Sequence, residues 1–389
     1  MKIQPQPRRL GAFLSFCFFI ALALYGLFHL PGGEGDEPPT YKATILAVEE
    51  SANDMEKFAP GSQKYYVTMR VDSGPSAGEE ARFVHRTLNN PAFDIHPKEG
   101  ENVLVREEHG SYAIVDYDRL PGMLWLLFGF ALVLILFGGV TGFKALLVLL
   151  FAVFLIAKGL ISLILFSPTH ILLWTFLIGS AITLSTQLVV NGVNMKSAGA
   201  IIGTIGGILV AGLLALFAIH FTYLTGIAEE HAGMLKVLYL KDVDFRELLF
   251  AGIVLGALGA VMDVAVSIAS AQCEMKNLAP KTSFKVLVAS GLTVGRDVMG
   301  TMANTLVLAY IGGALPLMLL LFSQPNLSFV HVVNLDMIAT EVVRSLIGSI
   351  GLLFAIPITA YATAFLVTRG APKPRKRRMA KEPEEITER

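Results

Sequence analysis

Long apolar blocks separated by short polar segments occupy most of the chain, and this pattern predicts a protein that crosses a membrane many times. A helix of about 20 apolar residues is long enough to cross a hydrocarbon core of about 30 Å. The predicted spans lie at about 10–30, 122–142, 144–166, 171–190, 198–220, 248–271, 299–323 and 346–368. We therefore expect an α-helical polytopic membrane protein with about eight transmembrane helices.

The segment between the first two blocks has a different pattern. Residues 31–119 contain short runs rich in β-branched and aromatic residues, some of which alternate polar and apolar positions. Turn signals such as Asn89-Asn90-Pro91 separate the runs. The predicted strands are Tyr41–Val48, Lys64–Val71, Ala81–Leu88, Asn102–Arg106 and Tyr112–Tyr117. Five short strands predict a small β-barrel-like or sandwich domain, for which an OB-like barrel is one candidate.

Four regions follow from these patterns. Residues 1–30 form an N-terminal transmembrane anchor, 31–119 a β-rich domain, 120–368 a multi-span domain, and 369–389 a charged tail. Ala21-Leu22-Ala23 matches a signal-peptide cleavage site, but apolar character continues to Leu30. We expect an uncleaved anchor.

Basic residues predict the orientation of the chain. Lys2, Arg8 and Arg9 precede the first block, and the tail carries Arg375-Lys376-Arg377-Arg378. With the N-terminus inside, the predicted cytoplasmic loops are also the more basic ones, as the positive-inside rule requires. We expect a bacterial inner-membrane protein with both termini in the cytoplasm and residues 31–119 outside it. The basic tail is expected to act as an orientation signal, although anionic lipid or a partner is an alternative.

Composition narrows the classes of function. The chain is 54% hydrophobic and 16% charged, whereas soluble domains carry about 25% charged residues. Its formal net charge is zero, which gives no reason to expect a nucleic-acid partner. Two cysteines, Cys17 and Cys273, form no CxxC, so neither a metal site nor a cofactor is expected.

Enzyme motifs are scarce in this sequence. It contains no HExxH, GxSxG or Walker A pattern. Gly295-Arg296-Asp297 is only a broken version of the GxGD pattern of intramembrane aspartyl proteases. We expect a protein that is not an enzyme.

A charged residue in a predicted span is the strongest pointer to function. Asp263 lies near the middle of the block 248–271, where a charge costs about 2.5–3.5 kcal/mol on insertion scales. Ser267, Ser270 and Glu274 follow on the same helical face. This face is interpreted as the lining of an ion or proton path. The alternative is a buried carboxylate that locks two helices together.

A second polar stripe occurs in the block 171–190. Gln187 and Asn191 continue the face begun by Ser180 and Thr183 and extended by Asn194. Serine and threonine often bond only their own helix, whereas the amide of Gln187 needs other partners. The stripe is either packing contact or pathway lining, and the pattern leaves both open.

The third polar stretch precedes the block 299–323. Asp297, Thr301 and Asn304 share a face beside Arg296. Apolar character extends too far for one span, which predicts a short re-entrant piece broken around Gly291–Gly295. Transporters place binding sites at such breaks, although Arg296 and Asp297 are also consistent with ordinary interfacial charges.

Four further residues carry predictions of their own. Glu341 and Arg344 are spaced to pair at the exterior interface. Pro357 predicts a kink in the last span. Lys158 is expected either to extend to the surface or to pair with an acid such as Asp263.

Three stretches carry a family resemblance: Gly256–Ser270, Ser290–Tyr310 and Glu341–Ser349. They resemble the YibE/F-like family of bacterial membrane proteins, and the resemblance extends over most of the chain after the first helix. It implies an exported N-terminal domain and a multi-span core, and names no substrate.

Two functions remain in view. The first is a gradient-driven transporter or permease for an ion or small solute, with an acidic site in the membrane. The second is an envelope sensor, scaffold or assembly factor that acts through its exported β-domain on a protein partner. Both functions require that the chain be embedded in a lipid bilayer. The sequence does not predict the oligomeric state.

Overall fold

The computed structural model describes residues 39–51, 62–90, 94–108, 110–228, 230–238, 240–241, 243–324 and 328–369. The predicted anchor at 10–30 and the tail from 370 onward lie outside the described residues. The described chain falls into two compact units, one ending at Gly139 and the other beginning at Val140.

The first unit contains the five predicted strands. They are β1 Thr40–Ser51, β2 Lys64–Val71, β3 Glu80–Arg86, β4 Asn102–Glu108 and β5 Ser111–Tyr117. They form one antiparallel sheet in the order β3-β2-β1-β4-β5. A register shift between Ile45 and Ala47 marks a bulge in β1, a feature that increases strand twist. The sheet curls into a half-barrel in which β3 approaches β5.

Alternation of side chains explains the core of this half-barrel. Val67, Met69 and Val71 are every second residue of β2, and all three are buried. Ile45 of β1 and Val103 of β4 lie in the same cluster. Because side chains on a strand point to opposite faces in turn, this period-two pattern places one face inside, as the sequence predicts.

The remaining described elements are helices. They are α1 Leu120–Phe154, α2 Ile161–Phe166, α3 Ile171–Thr186, α4 Met195–Phe221, α5 Glu230–Leu238, α6 Phe245–Leu278, α7 Phe284–Gly313, α8 Leu315–Phe322, α9 Phe329–Asn334 and α10 Asp336–Arg369. Two π-helical turns, Leu155–Leu160 and Gln187–Asn191, join α1 to α2 and extend α3. A short 3₁₀ turn, Pro168–His170, precedes α3.

Five of these helical runs are long and apolar enough to cross a membrane, and a bent pair raises the number to six. The run Leu120–Phe166 has 47 residues, about 70 Å at 1.5 Å per residue. Gly139 interrupts it with φ 53° and ψ −133°, a conformation that favours glycine. The sequence predicts a break near residue 143, four residues after the observed one.

The break predicted around Gly291–Gly295 is wrong. Helix α7 runs without interruption from Phe284 to Gly313, and the bend of 59° falls between α7 and α8. Gly291 and Gly295 are buried inside the continuous helix. A methyl group at Gly295 would overlap the side chain of Ile356, so these glycines allow helices to approach closely.

Small residues also set the packing of the second unit. Helix α10 packs against α4, α6 and α7. Thr359 of α10 fits against Gly203 of α4, where an added Cβ would lie 2.8 Å from the Thr359 Cβ. Helix α10 continues through Pro357 without ending. Close contacts of this kind leave one defined face of each helix inside the bundle.

Candidate functional site

Asp263 lies on the uncovered face of α6. Val261, Val264 and Ala265 around it are buried, whereas Asp263 itself is exposed. Its side chain has no hydrogen bond or ion pair with the residues that the structure describes. Asp263 therefore locks no two helices together among the residues that the structure describes, and the predicted helix at 10–30 lies outside them.

The other members of this stripe share its surroundings. Ser267 and Glu274 are exposed and Ser270 is half-buried. The Ser267 hydroxyl donates to the Asp263 carbonyl oxygen at 2.8 Å. Because that hydroxyl has one hydrogen, its oxygen keeps lone pairs that face outward. The face thus combines a carboxylate with an acceptor one turn away.

Helix α7 presents a similar face. Arg296, Asp297, Thr301 and Asn304 are all exposed, whereas Gly291, Gly295 and Leu306 are buried. The Thr301 hydroxyl donates to the Val298 carbonyl oxygen at 2.9 Å, which again leaves acceptor lone pairs outward. All four residues predicted from this stretch therefore lie outside the helix contacts.

Two contacts fix how α6 and α7 lie alongside each other. Gly256 of α6 lies against the Tyr310 hydroxyl of α7. Further along, the Gln272 Nε2 donates to the Leu287 carbonyl oxygen at 2.8 Å. The two helices are antiparallel neighbours, since later residues of one meet earlier residues of the other.

These contacts place the two stripes at the same depth. Asp263 is seven residues after Gly256, and Thr301 is nine residues before Tyr310. At 1.5 Å per residue both distances are about 10–14 Å. Asp263 therefore lies at the level of Thr301. We call these two exposed stripes together the outer polar face; they consist of Asp263, Ser267, Ser270 and Glu274 of α6 with Arg296, Asp297, Thr301 and Asn304 of α7.

Charge on the outer polar face is unpaired within the chain as described. Asp263, Arg296 and Asp297 form no ion pair with any described residue. Such charges are costly in hydrocarbon, by about 2.5–3.5 kcal/mol each at a helix centre. Any of these charges that lies within hydrocarbon must be met by water, an ion or another protein surface.

The stripe on α3 lies elsewhere. Gln187 is 1% exposed and Thr183 is 0% exposed, inside the bundle. The Asn191 amide donates to Gln187 Oε1 at 2.9 Å, while Gln187 Nε2 lacks a partner among the described residues. Gln187 and Asn191 both belong to a π-helical turn, a feature frequent at functional sites. Being buried, Gln187 does not join the outer polar face.

Gln272 is a polar residue that the sequence analysis missed. It is 0% exposed, and its Nε2 donates to the carbonyl oxygens of Leu287 and Ala360, at 2.8 and 3.0 Å. It therefore connects α6 with α7 and α10. An amide near the end of an apolar block was the available signal, the same one that pointed to Gln187.

The outcome at the remaining predicted positions is mixed. Glu341 and Arg344 form the predicted ion pair at 2.8 Å, and the Arg344 guanidinium lies 5.9 Å from the centre of the Tyr310 ring. Lys158 is half-buried and has no ion pair with Asp263. Asn194 caps α4, accepting from the Ser197 N–H.

A histidine and tyrosine cluster in the half-barrel was also not predicted. The Tyr65 hydroxyl donates to Gln63 Oε1 and lies 3.2 Å from His96 Nδ1. Since that hydroxyl has one hydrogen, His96 Nδ1 is the donor to Tyr65. His85 Nε2 donates to the Ile95 carbonyl oxygen at 2.8 Å. These bonds hold the 94–98 segment against β2 and β3.

Two pKa values are displaced near that segment. Burial lowers the pKa of His85, although the Ile95 carbonyl and the charge of Asp94 act in the opposite direction. Hydrogen bonds from the backbone N–H groups of Leu88 and Asn90 lower the pKa of Asp94. Neutral His85 and ionised Asp94 are therefore the forms that the folded domain favours.

Comparison with known proteins decides the family. A family model described as YibE/F-like protein matches residues 126–369, which is more than half of the 389-residue chain. The chain belongs to the YibE/F-like family. No curated protein and no solved structure matches it. The family region includes the whole outer polar face and Gln187, and it excludes the β-strands.

Proposed function

We propose that the chain is a transporter or permease for an ion or small solute, driven by a gradient, with Asp263 as its acidic site in the membrane. The observation that supports this function is an exposed carboxylate in the middle of a 34-residue apolar helix, with no side-chain partner among the described residues. A carboxylate whose only task was packing would have a partner in the fold, because unpaired burial is costly.

The protonated and the ionised carboxylate differ greatly in the free energy that it costs to place them in an apolar surrounding. Protonated Asp263 carries no charge and tolerates an apolar surrounding, whereas ionised Asp263 requires water or a cation. Asp263 therefore has to bind a proton or a cation whenever its side chain faces hydrocarbon. The hydroxyl oxygens of Ser267 and Thr301 add two neutral acceptors, Ser267 one turn along α6 and Thr301 at about the depth of Asp263. Carboxylate and hydroxyl oxygens favour a hard cation or a solute with hydrogen-bond donors.

The proposed topology follows the charge distribution. The termini lie in the cytoplasm of a bacterial cell, residues 31–119 are exported, and Leu120–Phe166 crosses the membrane twice with Gly139 at its turn. The length of that run and its backbone break support two crossings. The half-barrel is OB-like: with β3 near β5, its strands follow the order 1-2-3-5-4 around the ring.

The half-barrel supports a second function. It has its own buried core and belongs to a compact unit apart from the helix bundle. A domain of this kind binds ligands on an exposed sheet face or loops in other proteins of OB type. In this case the chain is a sensor or scaffold, and the outer polar face serves only in assembly.

Substitution of Asp263 distinguishes the two functions. Asp263→Asn keeps the shape and hydrogen-bonding capacity but removes the titratable charge. Whole-cell element content is measured in a strain without the gene, complemented with wild type, with Asp263→Asn, or with the control Glu341→Gln, at equal membrane levels. Transport predicts that wild type and the control change the content of an element and Asp263→Asn does not. Equal content in all strains contradicts an ion path through Asp263.

A further inference from the structure

No described residue of a single copy covers the exposed positions of the outer polar face. Gly252 and Gly259 are exposed, and a methyl group at either would meet nothing within 4 Å. They extend the same face of α6 beyond Asp263. Small residues of this kind allow a second helix to approach closely. The shape of α6 therefore admits a cover, and a second protein surface is one of the surroundings that would satisfy the unpaired charges.

The chain's own remaining apolar segments are poor covers for these charges. Residues 120–139 contain no Asp, Glu, Lys or Arg, and neither do residues 10–30. Packing either segment over Asp263, Arg296 and Asp297 would leave the charges as unpaired as before. A suitable cover must bring charges of both signs at the right depth.

The outer polar face itself meets this requirement. It carries a guanidinium, Arg296, next to a carboxylate, Asp297, and the two positions differ in height by about 1.5 Å. If two copies are related by a twofold axis along the membrane normal, each residue lies at the same depth in both copies. Each Arg296 is then at the right depth to pair with Asp297 of the other copy in a self-complementary twofold interface.

We infer that two copies of this chain associate through the outer polar face, with Arg296 of each copy paired to Asp297 of the other. The two Asp263 side chains then lie inside the interface and no longer face lipid. Their depth is that of Thr301, which is about one helical turn from the ion pairs on α7. This deepens the proposed function, because the second copy completes the walls of the same path. The association itself does not depend on transport.

Cysteine cross-linking in native membranes tests the contact. Full-length chains in which Cys17 and Cys273 are replaced by serine receive one new cysteine, Ser267→Cys on the outer polar face or Ile202→Cys as control. Ile202 is exposed on α4, and it lies near the depth of Ser267 because Gly207 of α4 touches Val261 of α6. Copies carry two different tags, so that a mixed dimer is identified directly. We expect an oxidant to link Ser267→Cys at least tenfold more than Ile202→Cys.

A charge exchange tests the ion pair. Arg296→Asp places like charges opposite each other and is expected to convert the dimer to monomer, as measured by single-molecule photobleaching in membranes. The double variant Arg296→Asp with Asp297→Arg reverses the pair and is expected to restore the dimer. Thermal unfolding in detergent confirms that each variant is folded.

Three results would overturn the inference. One is equal cross-linking at Ser267 and Ile202. Another is a double variant that stays monomeric although it is folded. The third is a cross-link from Ser267→Cys to a different protein. A dimer that moves no substrate contradicts the proposed function alone, whereas a monomer that transports contradicts this inference alone.

Discussion

Gly291 of α7 lies directly against the side-chain amide of Gln272 on α6: a methyl group added to Gly291 would overlap Nε2 and lie 2.8 Å from Cδ. The same amide donates to carbonyl oxygens of α7 and α10. One contact thus holds three helices together, on the opposite side of α6 from Asp263.

Replacing Gly291 is expected to destabilise the bundle. Gly291→Ala displaces Gln272 from its two acceptors, and overpacking of this kind costs about 1–3 kcal/mol. The control is Gly312→Ala in the same helix, where the added methyl group meets nothing within 4 Å. Thermal unfolding of the purified chain should show a lower midpoint for Gly291→Ala only. Equal midpoints would show that the Gln272 contact is not tight.

Asp263 and Gln272 should differ in their effect on stability. Asp263 has no side-chain partner in the described fold, so Asp263→Asn in monomeric protein should change the free energy of unfolding by less than about 0.5 kcal/mol. Gln272→Ala removes two hydrogen bonds and opens a cavity, which costs about 2–3 kcal/mol. Chemical denaturation in mild detergent measures both. A large loss for Asp263→Asn would restore the interpretation that it locks helices.

Water should reach the outer polar face in the transport interpretation. A thiol reacts with maleimide as the thiolate, which needs water. In cysteine-free protein we expect Ser267→Cys to react at least tenfold faster than Ile202→Cys, whose position is exposed but has apolar neighbours in sequence. Labelling kinetics in intact membranes give the two rates. Equal slow rates would place Ser267 in a dry environment.

The half-barrel should lose stability as the pH falls below about 6.5. The ordinary pKa of histidine is 6.5, and burial lowers that of His85 in the folded domain. The unfolded chain therefore binds a proton in a range where the folded chain does not, so the contribution is full above pH 6.5 and declines below it. Hydrogen-exchange protection of the 94–98 segment in the full-length protein, corrected for intrinsic rates, should fall between pH 7 and pH 5.

Variants assign this pH effect to its group. His85→Gln retains an N–H donor for the Ile95 carbonyl but does not titrate, so the decline near pH 6 should flatten. The control His220→Gln, at an exposed helix end, should leave it unchanged. Asp94, whose pKa is lowered from 3.8, adds a separate loss only as the pH falls below about 4. If protection still declines near pH 6 in His85→Gln, a group other than His85 causes the decline.

Local patterns in the sequence determined the elements of this protein. All five strands lie where runs of β-branched and aromatic residues between turn residues predict them, and some of these runs also alternate because one face of the strand is wet. The apolar helices follow from block length, because hydrocarbon admits only long runs of apolar residues. The ion pair of Glu341 with Arg344 was predictable because both belong to one helical turn.

Tertiary structure alone decided which face of each helix is covered. In water, a polar stripe indicates the outside of a helix, but inside a membrane the same stripe fits a helix contact, a path or a partner surface. Asp263 and Gln187 had the same kind of signal, yet Asp263 is exposed and Gln187 is buried. Gly291 and Gly295 suggested a break because glycine weakens helices. Their actual role depends on Gln272 and Ile356, two side chains distant in sequence that only the packed bundle brings against them.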